Sequence, residues 1–269
     1  MFLTQASLSH QSQISWMEWP GHLPTKPADV APKTRSLALL DKHITQCDAC
    51  PRLVKWREEV AVTKRRAYLD HDYWGKPITG FGPSDAKLLV IGLAPGAHGA
   101  NRTGRIFTGD SSGDWLYRAL YRNRLATLET SISRDDGQKL IDTRIACAVR
   151  CAPPGNKPTP TETAKCRPWL QREFELLFPT VRTYLALGSI AWKATLDTLR
   201  DLDEQLPRKR PKFGHGASFK FRGSDGNIRL VIGSYHPSQQ NTFTGKLTRS
   251  QLDSVVKKAG RFAHAGKPL

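Results

Sequence analysis

Apolar residues cluster in four nearly continuous runs along the chain. The runs are KLLVIGL at 87–93, TRIACAV at 143–149, TYLALG at 183–188 and IRLVIGSY at 228–235. Runs of this length with little polar alternation are typical of strands that are covered on both faces, as in parallel sheets. We therefore predict four buried parallel strands.

The segments between these runs carry apolar residues at helical spacing. The clearest patterns are GDWLYRALYR at 113–122, ETAKCRPWLQREFELLF at 162–178 and SIAWKATLDTL at 189–199. A final helix is predicted to begin near Thr248, because Thr248 and Gln251 match a capping box before an apolar pattern. Since strands and helices alternate, the predicted fold class is α/β, with a parallel sheet between two layers of helices.

The length of 269 residues is enough for one large α/β domain, which we expect at residues 37–269. Residues 1–36 differ in composition, because prolines stand among Ser, Gln and Thr with little periodicity. We predict a loosely ordered N-terminal extension there, with Trp16 and Trp19 as candidate anchors on the domain.

The chain is strongly basic, with 41 Lys and Arg against 24 Asp and Glu and a formal net charge of +17. Such an excess gives sequence-independent affinity for phosphates, so a nucleic acid is the first expected partner, ahead of a merely basic surface. No run approaches the roughly 18 apolar residues of a membrane span, and the N-terminus lacks a secretory pattern. We expect a cytoplasmic protein without membrane association.

Cysteine spacing indicates a metal site. A CxxC pair in a chain expected to be intracellular suggests redox or metal chemistry, and Cys47 and Cys50 follow a helical pattern rather than a strand. Metal is therefore favoured, with Cys151 and Cys166 as the remaining ligands. Cys147 lies within a predicted strand and is assigned to the core.

The gap between Cys151 and Cys166 is too wide for a zinc knuckle, which uses two close pairs. Four thiolates from separated loops fit an iron-sulfur cluster better. The spacing leaves zinc and unrelated cysteines open as alternatives.

A long glycine-rich segment follows the first strand, IGLAPGAHGANRTGRIFTGDSSGDWLYRAL at 91–120. A loop of this kind after a strand is where α/β enzymes present backbone to a ligand. A nucleotide-binding oxidoreductase is one interpretation, but the GxGxxG pattern and the acidic ribose ligand of that class are lacking.

Four segments together carry a family resemblance. They are CDACPRL, the glycine-rich segment, AVRCAPPGNKPTP leading to a further cysteine, and SYHPSQQNTFTGKLT. Over about residues 40–260 the chain resembles the iron-sulfur uracil-DNA glycosylases of family 5, or type B. The resemblance implies a three-layer αβα sandwich with a central four-stranded parallel sheet, and a structural 4Fe-4S cluster.

The resemblance also implies an activity, the hydrolysis of the N-glycosidic bond of uracil in DNA after the base is flipped out of the helix. The implied substrates are double-stranded and single-stranded DNA, with hypoxanthine and other deaminated bases beside uracil. We expect the enzyme to act as a monomer.

Two residues are candidate catalysts. His236, at the end of the fourth strand, would donate a hydrogen bond to the departing uracil anion, and Asp110 would orient water and stabilise the cationic sugar. The alternatives are that His236 closes a strand-end turn and that Asp110 belongs to the start of the following helix.

Five residues are expected at the base. Backbone amides of Leu93, Ala94 and Ala97 would approach it. By the resemblance, Phe107 would stack on its ring and Asn156 would read its edge. A core position for Phe107 and a plain turn position for Asn156 are the alternatives.

The loop after His236 is expected at the DNA. By the resemblance, Gln239, Gln240 and Asn241 enter the minor groove and hold the duplex open. Phe243 either joins this loop's contact or anchors the loop to the protein.

One position departs from related uracil glycosylases, which carry an acidic or amide residue just after the first glycine of GLAPG. Here Leu93 and Ala94 stand at that point, and neither activates water. A non-catalytic iron-sulfur protein that binds nucleic acid is therefore the alternative function.

Overall fold

The computed structural model describes residues 24–264. Over these residues a five-stranded sheet lies between two layers of helices, in the strand order β2-β1-β3-β5-β4. The strands are β1 (Leu88–Gly92), β2 (Thr143–Cys147), β3 (Thr183–Leu187), β4 (Ser218–Arg222) and β5 (Ile228–Ser234). The helices are α1 (Pro27–Val30), α2 (Leu37–Thr45), α3 (Pro51–Thr63), α4 (Ala100–Thr103), α5 (Ser111–Arg122), α6 (Pro160–Leu177), α7 (Ser189–Asp201), α8 (Gln239–Phe243) and α9 (Arg249–Ala263).

The predicted αβα layering is confirmed. The four apolar runs form β1, β2, β3 and β5, which pair in parallel. Within β1, Leu89 and Ile91 pack into the core shared with α2, α6 and α7, whereas Leu88 and Val90 pack into the core under α5 and α9. Both faces of the strand are buried, which explains why its sequence shows no polar alternation.

The prediction of four strands was incomplete, because β4 adds a fifth. It pairs antiparallel with β5 and forms one edge of the sheet. Its sequence SFKFR does alternate, but over five residues that directly follow a Pro- and Gly-rich stretch. So short an alternation does not distinguish a strand from a loop.

The predicted start of the last helix is also confirmed. The Thr248 hydroxyl accepts a hydrogen bond from the backbone N–H of Gln251 at 3.3 Å, and the Thr248 N–H donates to Gln251 Oε1 at 2.9 Å. Two N–H groups that the first turn of α9 leaves unpaired are satisfied in this way.

Part of the predicted N-terminal extension packs on the domain. Ala31, just after α1, is fully buried, and Arg172 Nε of α6 donates to the Thr34 carbonyl at 2.7 Å. The boundary at residue 36 stays a prediction, and the expected anchors Trp16 and Trp19 lie outside the described residues. Among residues 24–264, no helix is both long and apolar enough to cross a bilayer.

Strand order determines where a ligand can bind. Strand β1 lies between β2 and β3, so the strand order reverses direction at β1. Open α/β sheets bind ligands at the carboxyl ends of the strands where this reversal occurs. The glycine-rich segment follows β1 and His236 follows β5, so both begin at this edge of the sheet.

Candidate active site

Phe107 and His236 meet at the carboxyl ends of β1 and β5. Their ring centroids are 5.8 Å apart and their planes are inclined by 31°. Phe107 is buried and adopts a left-handed φ of 52°. A Cβ built on Gly92, the last residue of β1, would lie 2.9 Å from Phe107 Cε2. Gly92 therefore leaves the space that the aromatic ring occupies.

The backbone and Cβ of His236 contact two neighbouring segments. The His236 carbonyl accepts a hydrogen bond from Asn241 Nδ2 at 2.9 Å, and its Cβ faces Gly188 after β3. Burial lowers the pKa of His236 to about 4. The ring is therefore neutral at neutral pH, so one of its nitrogens donates and the other accepts.

A cleft of about 550 Å³ opens beside this imidazole, and we call it the His236 cleft. Its lining residues are Leu93, Leu187, Gly188, Ser189, Ile190, Phe213, Gly214, Tyr235, His236, Ser238, Gln240, Asn241 and Lys246. Four of the residues expected from the sequence are among them, namely Leu93, His236, Gln240 and Asn241.

Three residues that line the cleft were not predicted from the sequence: Phe213, Tyr235 and Lys246. Phe213 belongs to a charged stretch, residues 203–218, that reads as an exposed loop. In the structure this stretch folds back onto α7, because Trp192 Nε1 donates to the Pro211 carbonyl at 3.0 Å and its ring contacts Phe213 edge-on. Phe213 is an aromatic residue within a basic, proline-rich stretch, and this was the sequence feature that could have indicated its contact with the domain.

Asp110 is the N-cap of α5, which confirms its place at the helix start. Its Oδ1 accepts a hydrogen bond from the backbone N–H of Gly113 at 2.9 Å. Its Oδ2 lies against the turn of the glycine-rich segment, where a Cβ on Gly99 would collide with it. Burial raises the pKa of Asp110, and the N–H of Gly113 opposes that shift. One carboxylate oxygen is thus used for capping, while the other faces the segment.

The expected base-contacting residues lie in different surroundings. Leu93, Ala94 and Ala97 are half-buried in the turn after β1, and the Leu93 carbonyl accepts from Val149 N–H at 2.9 Å. Asn156 is exposed on the 3-10 turn Pro154–Asn156, with a φ of 58°. It is not among the residues that line the His236 cleft.

The segment after His236 forms the short helix α8 rather than an open loop. Gln239 and Gln240 are exposed, while Asn241 bonds back to the His236 carbonyl. Phe243 is 79% exposed, so the alternative that it anchors the segment to the protein was wrong. Lys246 lies beside the cleft with Nζ 4.9 Å from the centroid of the Tyr235 ring.

The four cysteines expected as metal ligands, which we call the four-cysteine site, lie on one side of the sheet. Cys47 and Cys50 precede α3, with Cys50 as its N-cap, Cys151 follows β2, and Cys166 lies in α6. Burial, then the charges of Cys151 and Cys47, raises the pKa of Cys50 to about 11. Burial, and then the charges of Cys47 and Cys151, also raises the pKa of Cys166. The thiols are thus close enough to influence one another electrostatically.

Two nitrogen donors reach the sulfur atoms of this site. Arg57 Nη1 donates to Cys151 Sγ at 3.0 Å, and the Arg150 backbone N–H donates to Cys166 Sγ at 3.3 Å. Cys147 is fully buried inside β2, as expected for a core residue. Among residues 24–264, no three His, Cys, Asp or Glu side chains converge on the position of a single metal ion.

The sequence profile of the Uracil DNA glycosylase superfamily matches residues 79–259. Proteins named type-5 uracil-DNA glycosylase are similar over most of the chain. The protein of Mycobacterium tuberculosis is 49% identical over 228 residues, 85% of this chain and 82% of its own length. The chain belongs to the type-5 family of this superfamily. A type-5 protein of Thermus thermophilus is 46% identical over 82% of this chain and 95% of its own, and that of Pyrobaculum aerophilum is 41% identical over 81% and 89%.

Membership of the type-5 family confirms the resemblance read from the four segments. The matched residues include all five strands, the glycine-rich segment and His236. Cys151 and Cys166 lie inside the superfamily match, whereas Cys47 and Cys50 precede it. The first cysteine pair of this type-5 chain therefore belongs to a part of the fold that the general superfamily profile does not cover.

Proposed function

We propose that this protein hydrolyses the N-glycosidic bond of uracil in DNA and leaves an abasic site, as a monofunctional glycosylase of base excision repair. The observation that carries the proposal is the neutral His236 imidazole, which lines the cleft and contacts Phe107. The names of the type-5 relatives support the same activity.

Access to the base requires flipping, because a cleft at a sheet edge cannot reach a base inside the duplex stack. Extrusion of the base costs a few kcal/mol, and the cost is lowest at a mismatch. This favours uracil opposite guanine. Hypoxanthine and other deaminated bases are further substrates in this proposal, as is single-stranded DNA, where no base pair has to be opened.

The departing uracil anion is stabilised by His236 in this proposal. A ring N–H directed at a uracil carbonyl oxygen hydrogen-bonds more strongly to the anion than to the neutral base, so it lowers the barrier rather than merely tightening binding. The depressed pKa of His236 supports a neutral donor in this role.

Phe107 stacks on the extruded base. Stacking of a base on an aromatic side chain is worth about 1 to 3 kcal/mol, and the contact between Phe107 and His236 would hold the base edge within reach of the imidazole. The left-handed backbone at Phe107 is supporting evidence, because strained backbone is concentrated at functional sites.

Water is oriented by Oδ2 of Asp110 in this proposal. Leu93 and Ala94 are apolar, so the side chains that follow the first glycine offer no alternative. Asp110 Oδ1 is occupied by the cap, and Oδ2 is the oxygen available to hold water or to stabilise positive charge on the sugar.

Base identity is read by Asn156 and by backbone groups. Asn156 is exposed, so we propose that its amide meets the uracil edge once the base is bound, donating to a carbonyl and accepting from the ring N–H. The backbone amides of Leu93, Ala94 and Ala97 contact the base and its phosphates in this proposal.

DNA is held open by α8. Gln239, Gln240 and Asn241 contact the minor groove, with the exposed Phe243 as the apolar wedge that unstacks the neighbouring base pair. Lys246, at the rim of the cleft, is suited to a phosphate. A single chain supplies every group in this scheme, so we propose that the enzyme acts as a monomer.

The four-cysteine site holds a 4Fe-4S cluster in this proposal, with Cys47, Cys50, Cys151 and Cys166 as ligands. The donor set fits, because three buried thiols and the half-buried Cys50 come from three segments, and N–H groups reach two of the sulfurs. A zinc ion would need four sulfurs converging at about 2.3 Å on one atom, and among residues 24–264 no three such side chains converge on one position. When bound, the group supplies structural cross-linking and no step of the hydrolysis.

The test is a single-turnover assay on a duplex with one uracil, followed by alkaline cleavage at abasic sites. The wild-type protein should produce alkali-sensitive strands, and His236→Ala should be slower by about 100- to 1,000-fold, the usual effect of removing one preorganised donor. His43→Ala, on α2, is the control. Duplex binding without alkali-sensitive product would favour the non-catalytic alternative, and a loss below about tenfold would transfer the role of His236 to backbone amides.

A further inference from the structure

Arg57 is a buried cation whose side chain enters the four-cysteine site. It lies on α3, and its side chain is 3% exposed. Its Nη1 donates both to the Cys47 carbonyl at 3.1 Å and to Cys151 Sγ at 3.0 Å. One guanidinium nitrogen thus bridges the loop that carries the CxxC pair and the loop that follows β2.

The positive charge of Arg57 is only partly compensated by anionic groups in the described part of the chain. Its ion pair in the described part of the chain is with Glu58 Oε1, 3.5 Å from Nη2, on a side chain that is 34% exposed. Arg57 Nε is buried and has no hydrogen-bond partner within residues 24–264. A buried, incompletely paired guanidinium is costly unless an anion lies nearby. Thiolates, which metal binding creates from thiols, would be that anion.

The main chain of Arg57 contacts the glycine-rich segment. Asn101, in α4, is 1% exposed, and its Nδ2 donates to the Arg57 carbonyl at 3.1 Å. The next residue, Arg102, donates through Nη2 to the Gly109 carbonyl at 2.7 Å. Gly109 directly precedes Asp110. Short, buried contacts therefore connect the four-cysteine site with the carboxylate that caps α5.

We infer that Arg57 joins the four-cysteine site to the glycine-rich segment, its guanidinium compensating the thiolates and its carbonyl fixing Asn101. Arg57 is a positioning residue in this scheme and touches no substrate. The inference rests on the proposed iron-sulfur cluster. It predicts that replacing the Arg57 side chain releases iron. Loss of the cluster then frees the start of α3, the helix that carries the Arg57 carbonyl, and so loosens the segment, whereas replacing Asn101 loosens the segment alone.

The variants are Arg57→Met, Arg57→Lys and Asn101→Ala in the full-length holoprotein, with Lys55→Met as the matched control. Lys55 is an exposed cation on the same helix, so its replacement removes a charge without entering the site. Two properties are measured: iron retained against a chelator, followed by visible absorbance, and hydrogen exchange of the amides at residues 99–110.

Arg57→Met should retain iron about 10- to 100-fold less well, the usual effect of removing a residue that supports metal ligands, and its amides at 99–110 should exchange faster. Asn101→Ala should show the faster exchange with wild-type iron retention, and Lys55→Met should match the wild type in both. Wild-type iron retention in Arg57→Met, or unchanged exchange in Asn101→Ala, would overturn the inference.

Two further outcomes keep the test decisive. If Arg57→Met does not fold, Arg57→Lys decides, because a single ammonium reproduces the charge but not the guanidinium geometry. Its iron retention should then lie below that of the wild type, and equality would overturn the inference. A wild-type protein that binds no iron would instead refute the proposed cluster, which is a separate failure.

Discussion

The rings of Phe107 and His236 lie 5.8 Å apart, although one residue follows the first strand and the other follows the fifth. Neither ring would have this neighbour without the parallel order of the strands. Their contact joins the buried Phe107 ring, which packs in the core under α5 and α9, to the imidazole that lines the His236 cleft.

The activity should not depend on protonation of His236 near neutral pH. Its pKa in the folded protein is about 4, against an ordinary value of 6.5, because the ring is buried. Single-turnover excision from pH 8 to pH 5 should therefore show no step from this ring, and its NMR shifts should not titrate above pH 5. A rate that rises as the pH falls through 6.5 would indicate that the imidazolium is the active form.

The same shift predicts a pH effect on stability. Below pH 6.5 the unfolded chain binds a proton at His236 that the folded protein does not bind until about pH 4. The free energy of unfolding should therefore decrease as the pH falls from 6.5 to 4. The decrease should be smaller in His236→Gln, measured by denaturant unfolding at each pH. Equal slopes in the two proteins would contradict the buried, neutral ring.

Asp110→Asn separates catalysis from capping. Asn caps a helix as well as Asp does, so the bond from Gly113 N–H is retained. The pKa of Asp110 is raised by burial, so its ionised form is disfavoured in the folded state and a neutral amide should leave the melting temperature equal or higher. Excision should fall by about 100- to 10,000-fold if the carboxylate orients water. A wild-type rate would leave Asp110 as a cap only.

Gly99→Ala tests the position of the same carboxylate. A Cβ at Gly99 would displace Asp110 Oδ2, whereas a Cβ at Gly96 would lie 3.1 Å from it. We therefore expect a larger loss of single-turnover rate in Gly99→Ala than in Gly96→Ala, with DNA affinity retained in both. The reverse order would mean that Asp110 moves away without consequence for the reaction.

Asn156 is tested by two substitutions that tolerate its left-handed backbone. Asn156→Gly removes the amide without strain at φ 58° and should reduce uracil excision with little change in melting temperature, since the side chain is exposed. Asn156→Asp should also reduce uracil excision and should admit cytosine, because the exocyclic amine of cytosine can donate a hydrogen bond to a carboxylate. Uracil excision at the wild-type rate in Asn156→Gly would make the residue a plain turn residue.

Local signals accounted for most of the fold. The apolar runs that became β1, β2, β3 and β5 are legible because both faces of each strand are buried, and Thr248 with Gln251 marks a helix start through contacts within one turn. The edge strand β4 was missed because its alternation of polar and apolar residues covers only five positions, which does not distinguish a strand from a loop. The site was less predictable. Phe213 reaches the cleft because residues 203–218 pack back onto α7, and the residues next to Phe213 in the sequence do not indicate this path.

The sequence by itself determined the layered α/β class, the four cysteines, the glycine-rich segment and the family, because each depends on residue types at fixed spacing along the chain. The tertiary structure decided the rest. It gave His236 its neutral state, Asp110 its capping bond and its place against Gly99, and Arg57 its contacts with both the cysteines and Asn101. The physical reason is that burial, pKa and hydrogen-bond partners depend on which segments meet in space, and strand order and loop path set those meetings.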